Sequence, residues 1–118
     1  MRLTEITYDS ARPIDGYGPG FFRVAGQVLQ GSCLIHPWGA GGWGGTEDTE
    51  TLLTLAGRID VLFVGTGAEI AHVPRAFRDT LEGAGIGVEV MNSPAACRTY
   101  NVLLSEGRRI AVALLPVG

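Results

Sequence analysis

Lysine is absent from this sequence: all nine basic residues are arginine, and only Arg108 and Arg109 are adjacent. Against twelve acidic residues they leave a formal charge of −3, so no basic stripe could neutralise a run of phosphates, and nucleic-acid binding is not expected. Cysteine is scarce. Cys33 and Cys97 lack the paired spacing of a redox or zinc motif, and two reduced thiols are the expectation. His36 and His72, the only histidines, add no ligand spacing, so neither a metal site nor a cofactor is expected. The longest apolar runs, Val61 to Val64 and Ile110 to Leu115, fall far short of the ~20 residues a spanning helix needs. No apolar stretch follows the basic start Met1-Arg2-Leu3-Thr4-Glu5, so neither a secretory signal nor a transit peptide is read there and the expected location is the cytoplasm.

What is present is glycine and hydrophobic residues. At 118 residues and 46% hydrophobic content, the chain can bury one core, and residues 1–118 are expected to form a single domain. The pattern changes near Thr46. Before it, Phe21 to Ala25, Gln27 to Leu29 and Cys33 to His36 are short β-prone runs separated by Gly26 and by Gly31-Ser32, as in hairpins or a meander. Tyr17-Gly18-Pro19-Gly20 is a turn leading into them. Pro37 to Gly45 holds five glycines with Trp38 and Trp43; it reads as an ordered loop anchored by an indole.

From Thr46 onward helices and strands alternate. Thr46 is placed as the cap of a first helix, with Glu47, Asp48 and Glu50 in its first turn and Leu52, Leu55 and Ala56 on one face. A strand over Ile59 to Val64 is nearly all apolar, as when both faces of a parallel strand are covered. Pro74 opens a second helix with Phe77, Leu81 and Ala84 at i, i+4 and i+7, and the next strand runs from Ile86 to Met91. Ser93 is placed as the cap of a third helix, with Ala96, Tyr100, Leu103 and Leu104 toward the core, before a strand over Arg109 to Leu115. Right-handed crossovers then set the last three strands parallel in one sheet, giving an α/β fold with N-terminal hairpin strands that extend that sheet or pack on it.

In such sheets ligands collect beyond the carboxyl ends of the strands. Two connections qualify: Gly65-Thr66-Gly67, and Asn92-Ser93 with the start of the third helix. If their strands are neighbours, they form one rim. Gly65-Thr66-Gly67 is also explained as a turn that needs glycine for its dihedrals; a Rossmann fingerprint would require glycine where Ile70 stands, and a Walker motif needs a lysine. Cys97, beside Arg98 and one turn into the helix, is either a thiolate favoured by the dipole or a small buried residue. Glu89 interrupts an apolar strand, so it is a buried carboxylate with a raised pKa, a structural ion pair, or the mark of an exposed face. No second carboxylate is spaced with it, and no catalytic residue is assigned. Trp38 and Trp43 are candidate interface anchors, or indoles tucked over the sheet edge.

Several segments together resemble a known family. They are Pro13-Ile14-Asp15-Gly16-Tyr17-Gly18, Gly20-Phe21-Phe22-Arg23, Gly31-Ser32, Pro37, Trp43, Asp60 to Gly67, and above all Gly85 to Met91 continuing through Ser93 to Leu104. In these the chain is similar to the respiratory complex I assembly factor 3 family and its bacterial and archaeal relatives of unknown function. The resemblance implies a three-layer β+β/α fold, whose C-terminal αβαβαβ portion forms a parallel core. It also implies a non-catalytic binding or assembly module with a protein partner, related to factors that assist assembly of respiratory NADH dehydrogenase. A rim of Gly65, Thr66, Gly67, Asn92, Ser93, Cys97 and Arg98 would be shared by the family. The alternative is a small-molecule or anion-binding protein, or an enzyme, using the same rim. Homo-oligomerisation stays open.

Overall fold

The computed structural model describes Ile6–Thr7 and residues 10–118. The strands are β1 (Ile6–Thr7), β2 (Ile14–Gly18), β3 (Phe21–Val24), β4 (Gln27–Gln30), β5 (Cys33–His36), β6 (Gly39–Gly42), β7 (Val61–Thr66), β8 (Gly87–Met91) and β9 (Ile110–Leu115). The helices are α1 (Glu50–Leu53), α2 (Arg75–Gly83) and α3 (Ser93–Ser105). Six strands form one sheet in the order β1-β6-β5-β9-β7-β8, and β2-β3-β4 form a second, antiparallel one. Within the large sheet β9, β7 and β8 run parallel, as expected, while β5 joins β9 antiparallel. The N-terminal strands therefore do both things foreseen for them: β5, β6 and β1 extend the parallel core, and β2 to β4 pack on it.

Alternation along the central strands sorts the core into two layers. Leu62 and Val64 of β7, Ala111 and Ala113 of β9 and Leu34 of β5 face one side, where they meet Leu52 and Leu55 of the α1 region and Phe77 and Leu81 of α2. Phe63, Ile110, Val112, Leu114, Cys33 and Ile35 face the other, against Ala96, Cys97 and Tyr100 of α3 and Ile14, Phe22, Val24 and Leu29 of the small sheet. Each fully buried aliphatic or aromatic side chain contributes about 1.5–3 kcal/mol, so these two layers supply the driving force of the fold. The helices lie on opposite faces because the chain steps outward from β7 to β8 and then back past β7 to β9. Only with one helix on each side are both crossovers right-handed.

Three local readings need correction. The run from Pro37 to Gly45 is not irregular throughout: Gly39–Gly42 forms β6, paired with β5 in a tight hairpin around Pro37 and Trp38. Its glycines hid a strand because side-chain propensity gives no signal where side chains are missing. Ile14–Gly18 is likewise a strand, β2, not merely the approach to a turn. Third, Thr46 caps nothing. The Asp48 carboxylate accepts from the Thr51 backbone N–H at 3.1 Å, the Thr51 hydroxyl at 2.6 Å and the Gly44 N–H at 2.9 Å, and α1 begins only at Glu50. Ala56, expected on the buried face, is exposed because the chain leaves the helix after Leu53.

Candidate functional site

The carboxyl ends of β7 and β8 are neighbours, with Gly65 opposite Met91, so the two connections singled out from the sequence do meet. They are held together by hydrogen bonds rather than left open. The Gly67 N–H donates to Ser93 Oγ at 2.9 Å, and the Ser93 hydroxyl donates to the Leu115 carbonyl at 2.7 Å. The Ser93 N–H donates back to the Gly67 carbonyl at 2.8 Å. One fully buried serine thus ties the ends of all three parallel strands. The Thr66 hydroxyl donates to the Glu69 carbonyl at 2.8 Å, lies 3.3 Å from the Met91 carbonyl, and accepts from the Ala71 N–H at 2.9 Å, pinning the loop that follows β7.

Glycine is required here for space as well as dihedrals. A Cβ on Gly65 would stand 2.7 Å from Ser93 Cα and 2.8 Å from Leu114 Cδ2. Gly67 sits at φ +100°, where side chains are strained. The helix cap is Asn92, not Ser93: its Oδ1 accepts from the Ala95 N–H at 2.8 Å while its own backbone is extended. Ser93 and Pro94 are the first two helical residues. The sequence was ambiguous because proline is tolerated in either of these opening positions.

Cys97 is buried, and burial pushes its thiol from 9.0 up to about 12 although Arg98 pulls the other way. Cys33 is raised to about 12 as well, by burial and then by Cys97. Desolvation of the anion outweighs the arginine, so burial keeps Cys97 a neutral, packed thiol at neutral pH. In the unfolded chain it ionises near pH 9, so stability is full below that pH and declines as pH rises from about 9 toward 12. Folded protein should therefore react with iodoacetamide at pH 7–8 at least about 100-fold more slowly than urea-unfolded protein; equal rates would show an accessible thiolate. Arg98 itself is exposed.

Three further candidates resolve differently. Glu89 is exposed, not a buried carboxylate, because β8 is the edge of the sheet. Trp43 is 5% exposed; its indole N–H donates to the Asp48 carbonyl at 2.9 Å and its ring lies 6.2 Å from Phe77, so it anchors the loop from the inside and offers no interface. Trp38 is 36% exposed at the β5–β6 hairpin tip, with the Arg58 guanidinium 4.1 Å over its ring and His36 at 5.7 Å. The backbone N–H of Trp38 donates to His36 Nδ1, and burial with the Arg58 charge lowers His36 from 6.5 to about 4.

Sequence reasoning assigned no role to two features. The Asn101 side chain accepts from the Ile14 N–H at 2.7 Å and donates to the Ile14 carbonyl at 2.9 Å, clamping the small sheet onto α3. A cleft of about 290 Å³ lies beside the rim, lined by Ile70, Ala71, His72, Val73, Arg78 and Val90. No spacing in the sequence marks it, since its walls come from the loop after β7, from α2 and from β8. Among the described residues no group of His, Cys, Asp and Glu could hold a metal, and no helix is long and apolar enough to cross a membrane.

A three-stranded parallel core in a mixed sheet, with a small sheet and α3 on one face and two helices on the other, defines an α/β class with a sealed lip. The family model of a protein of unknown function (DUF498/DUF598) matches residues 14–115, and the chain belongs to that family. It is 52% identical over 117 residues to an uncharacterized protein of Rhodobacter capsulatus, with 99% of this chain and 94% of that protein covered. It is 34% identical over 110 residues to NADH dehydrogenase (ubiquinone) 1 alpha subcomplex assembly factor 3 of Danio rerio, covering 87% of this chain but only 63% of that protein's length. In three dimensions it matches the crystal structure of a Bartonella henselae protein described as an outer membrane protein, at TM-score 0.84 and 37% identity, covering 94% of this chain and 99% of that one. The resemblance to the assembly factor 3 family, drawn from the residues around Gly65 to Gly67 and Gly85 to Leu104, holds.

Proposed function

We propose that the chain is a non-catalytic binding module, working in the cytoplasm, which presents the lip at Gly65, Thr66, Gly67, Asn92, Ser93, Cys97 and Arg98 to a protein partner. In this reading the partner belongs to respiratory NADH dehydrogenase or to its assembly. The observation that carries it is the hydrogen bonding of the lip. The Gly67 N–H and the Ser93 and Thr66 hydroxyls are spent on protein acceptors, and the neighbouring thiol is held neutral. Such a lip offers a shaped surface rather than a charged cradle. The name of the Danio rerio relative supplies the class of partner. Most of these residues set the shape of the lip, and exposed Arg98 is the one that reaches outward, with Trp38 as a separate exposed indole.

Arg98→Ala tests the reading without disturbing the core. It should leave the unfolding midpoint within about 0.5 kcal/mol of the parent, as for other surface changes, while weakening partner binding about tenfold. A thermal-shift screen against phosphorylated and carboxylated metabolites should find no stabilisation of the parent; a shift abolished by Arg98→Ala would establish the small-molecule alternative instead.

A further inference from the structure

One edge strand of the large sheet is β8, and its backbone can be read residue by residue. The Gly87 N–H donates to Asp60, next to β7, and the Met91 carbonyl faces Thr66 of β7. Backbone groups of successive strand residues point to opposite sides, so Val88 and Val90 direct theirs away from the sheet. Arg78 confirms the direction: its guanidinium donates to the Val88 carbonyl at 3.0 Å from outside the edge. Edges are normally blunted, and here other parts of the molecule are: Asn101 occupies both backbone groups of Ile14 on β2, and Arg78 occupies Val88. At Val90 no donor or acceptor among the described residues meets the outward groups. Beside Val90 the edge opens into the 290 Å³ cleft walled by Ile70, Val73, Ala71 and His72, with Ile70 65% exposed.

We infer that this edge and cleft form a docking groove for an extended segment of a partner protein, added beside β8 through the backbone of Val90. An apolar side chain of the segment fills the space against Ile70 and Val73, and a carboxylate meets Arg78. Unpaired strand groups select an extended backbone, and a cleft of this size admits one or two side chains. Arg78 selects the charge: its Nη1 serves both Val88 and Glu82, the latter at 3.3 Å across a half-exposed pair, which leaves the other guanidinium N–H groups for an incoming acid. A second copy of the chain fits less well, since two-fold pairing of β8 with itself brings Arg78 toward its own like charge. The inference rests on the protein-binding reading above and gives the partner a form. It uses the opposite face of the sheet from Arg98.

Fluorescence anisotropy with labelled peptides of about eight residues tests it on the intact chain. One probe carries valine at alternate positions with glutamate and threonine between; a matched probe has lysine for glutamate. The glutamate peptide should bind at least about tenfold more tightly than the lysine peptide. Ile70→Asp should lose that binding about tenfold or more, Arg78→Ala should equalise the two peptides, and Arg108→Ala, at an exposed arginine outside both the groove and the lip, should change nothing. Val90→Pro, which removes the outward N–H, should lose binding too; if it unfolds, exposed Ile70→Asp carries the test. Equal affinity of both peptides, absence of binding at millimolar concentration, or sedimentation of the chain as a dimer that Ile70→Asp dissociates would overturn the groove. Loss of native partner in Arg98→Ala alongside any of these leaves the lip reading standing, so the two failures are distinguishable.

Discussion

Trp43→Ala is expected to cost about 3–5 kcal/mol of folding stability, the range for deleting a large buried aromatic. The indole lies against Phe77, in the same buried cluster as Leu52 and Leu62, and it donates to the Asp48 carbonyl. Asp48 in turn holds Gly44 and Thr51, so removing the ring also frees the carboxylate-centred turn that starts α1. Trp38→Ala should cost no more than about 1 kcal/mol, because that ring is partly solvated and its partner Arg58 is exposed. Urea unfolding followed by circular dichroism separates the two. Similar losses for both would mean that the division between an inner and an outer tryptophan is wrong.

Gly65→Ala is the second large effect, about 2–3 kcal/mol, from a single added methyl. That methyl would meet the backbone Cα of Ser93 at 2.7 Å, and a backbone atom cannot rotate away as a side chain can. The three strand ends would have to part, breaking the Ser93 links to Gly67 and Leu115. Gly83→Ala is the control. It lies in α2 with nothing within 4 Å of the added atom, so it should be neutral or stabilising by up to about 1 kcal/mol. A Gly65→Ala protein as stable as its parent would show that the lip yields, and that its shape is not what the glycine protects.

Much of the fold could be read where side chains carry the signal. The apolar run through Val61 to Val64, the Phe77 and Leu81 face and the Ala96 and Tyr100 face were each placed correctly, because burial from two sides or from one leaves a period in the sequence. Crossover handedness set the last three strands parallel, while the adjacency of β7 and β8 was left conditional and came from the structure. What escaped were features without such a period: β6, built from glycines and one alanine, and β2, where Asp15, Gly16 and Gly18 dilute the pattern. The capping roles of Asp48 and Asn92 were assigned to Thr46 and Ser93, because several small polar residues stood together and only backbone geometry decides among them. At the lip the two connections meet, but the state of their residues was not legible: that the Ser93 hydroxyl bridges Gly67 and Leu115 depends on contacts 22 and 26 residues apart. Glu89 and Cys97 show the same limit, since edge exposure of one and burial of the other are tertiary facts.

Tagged chain recovered from its native cell, with bound proteins identified by mass spectrometry against an Arg98→Ala control, tests the central claim most directly. Subunits or assembly proteins of NADH dehydrogenase should be enriched with the parent and depleted about tenfold with the variant. Recovery of the same proteins with both forms, or of the chain alone with a tightly held metabolite, would contradict it.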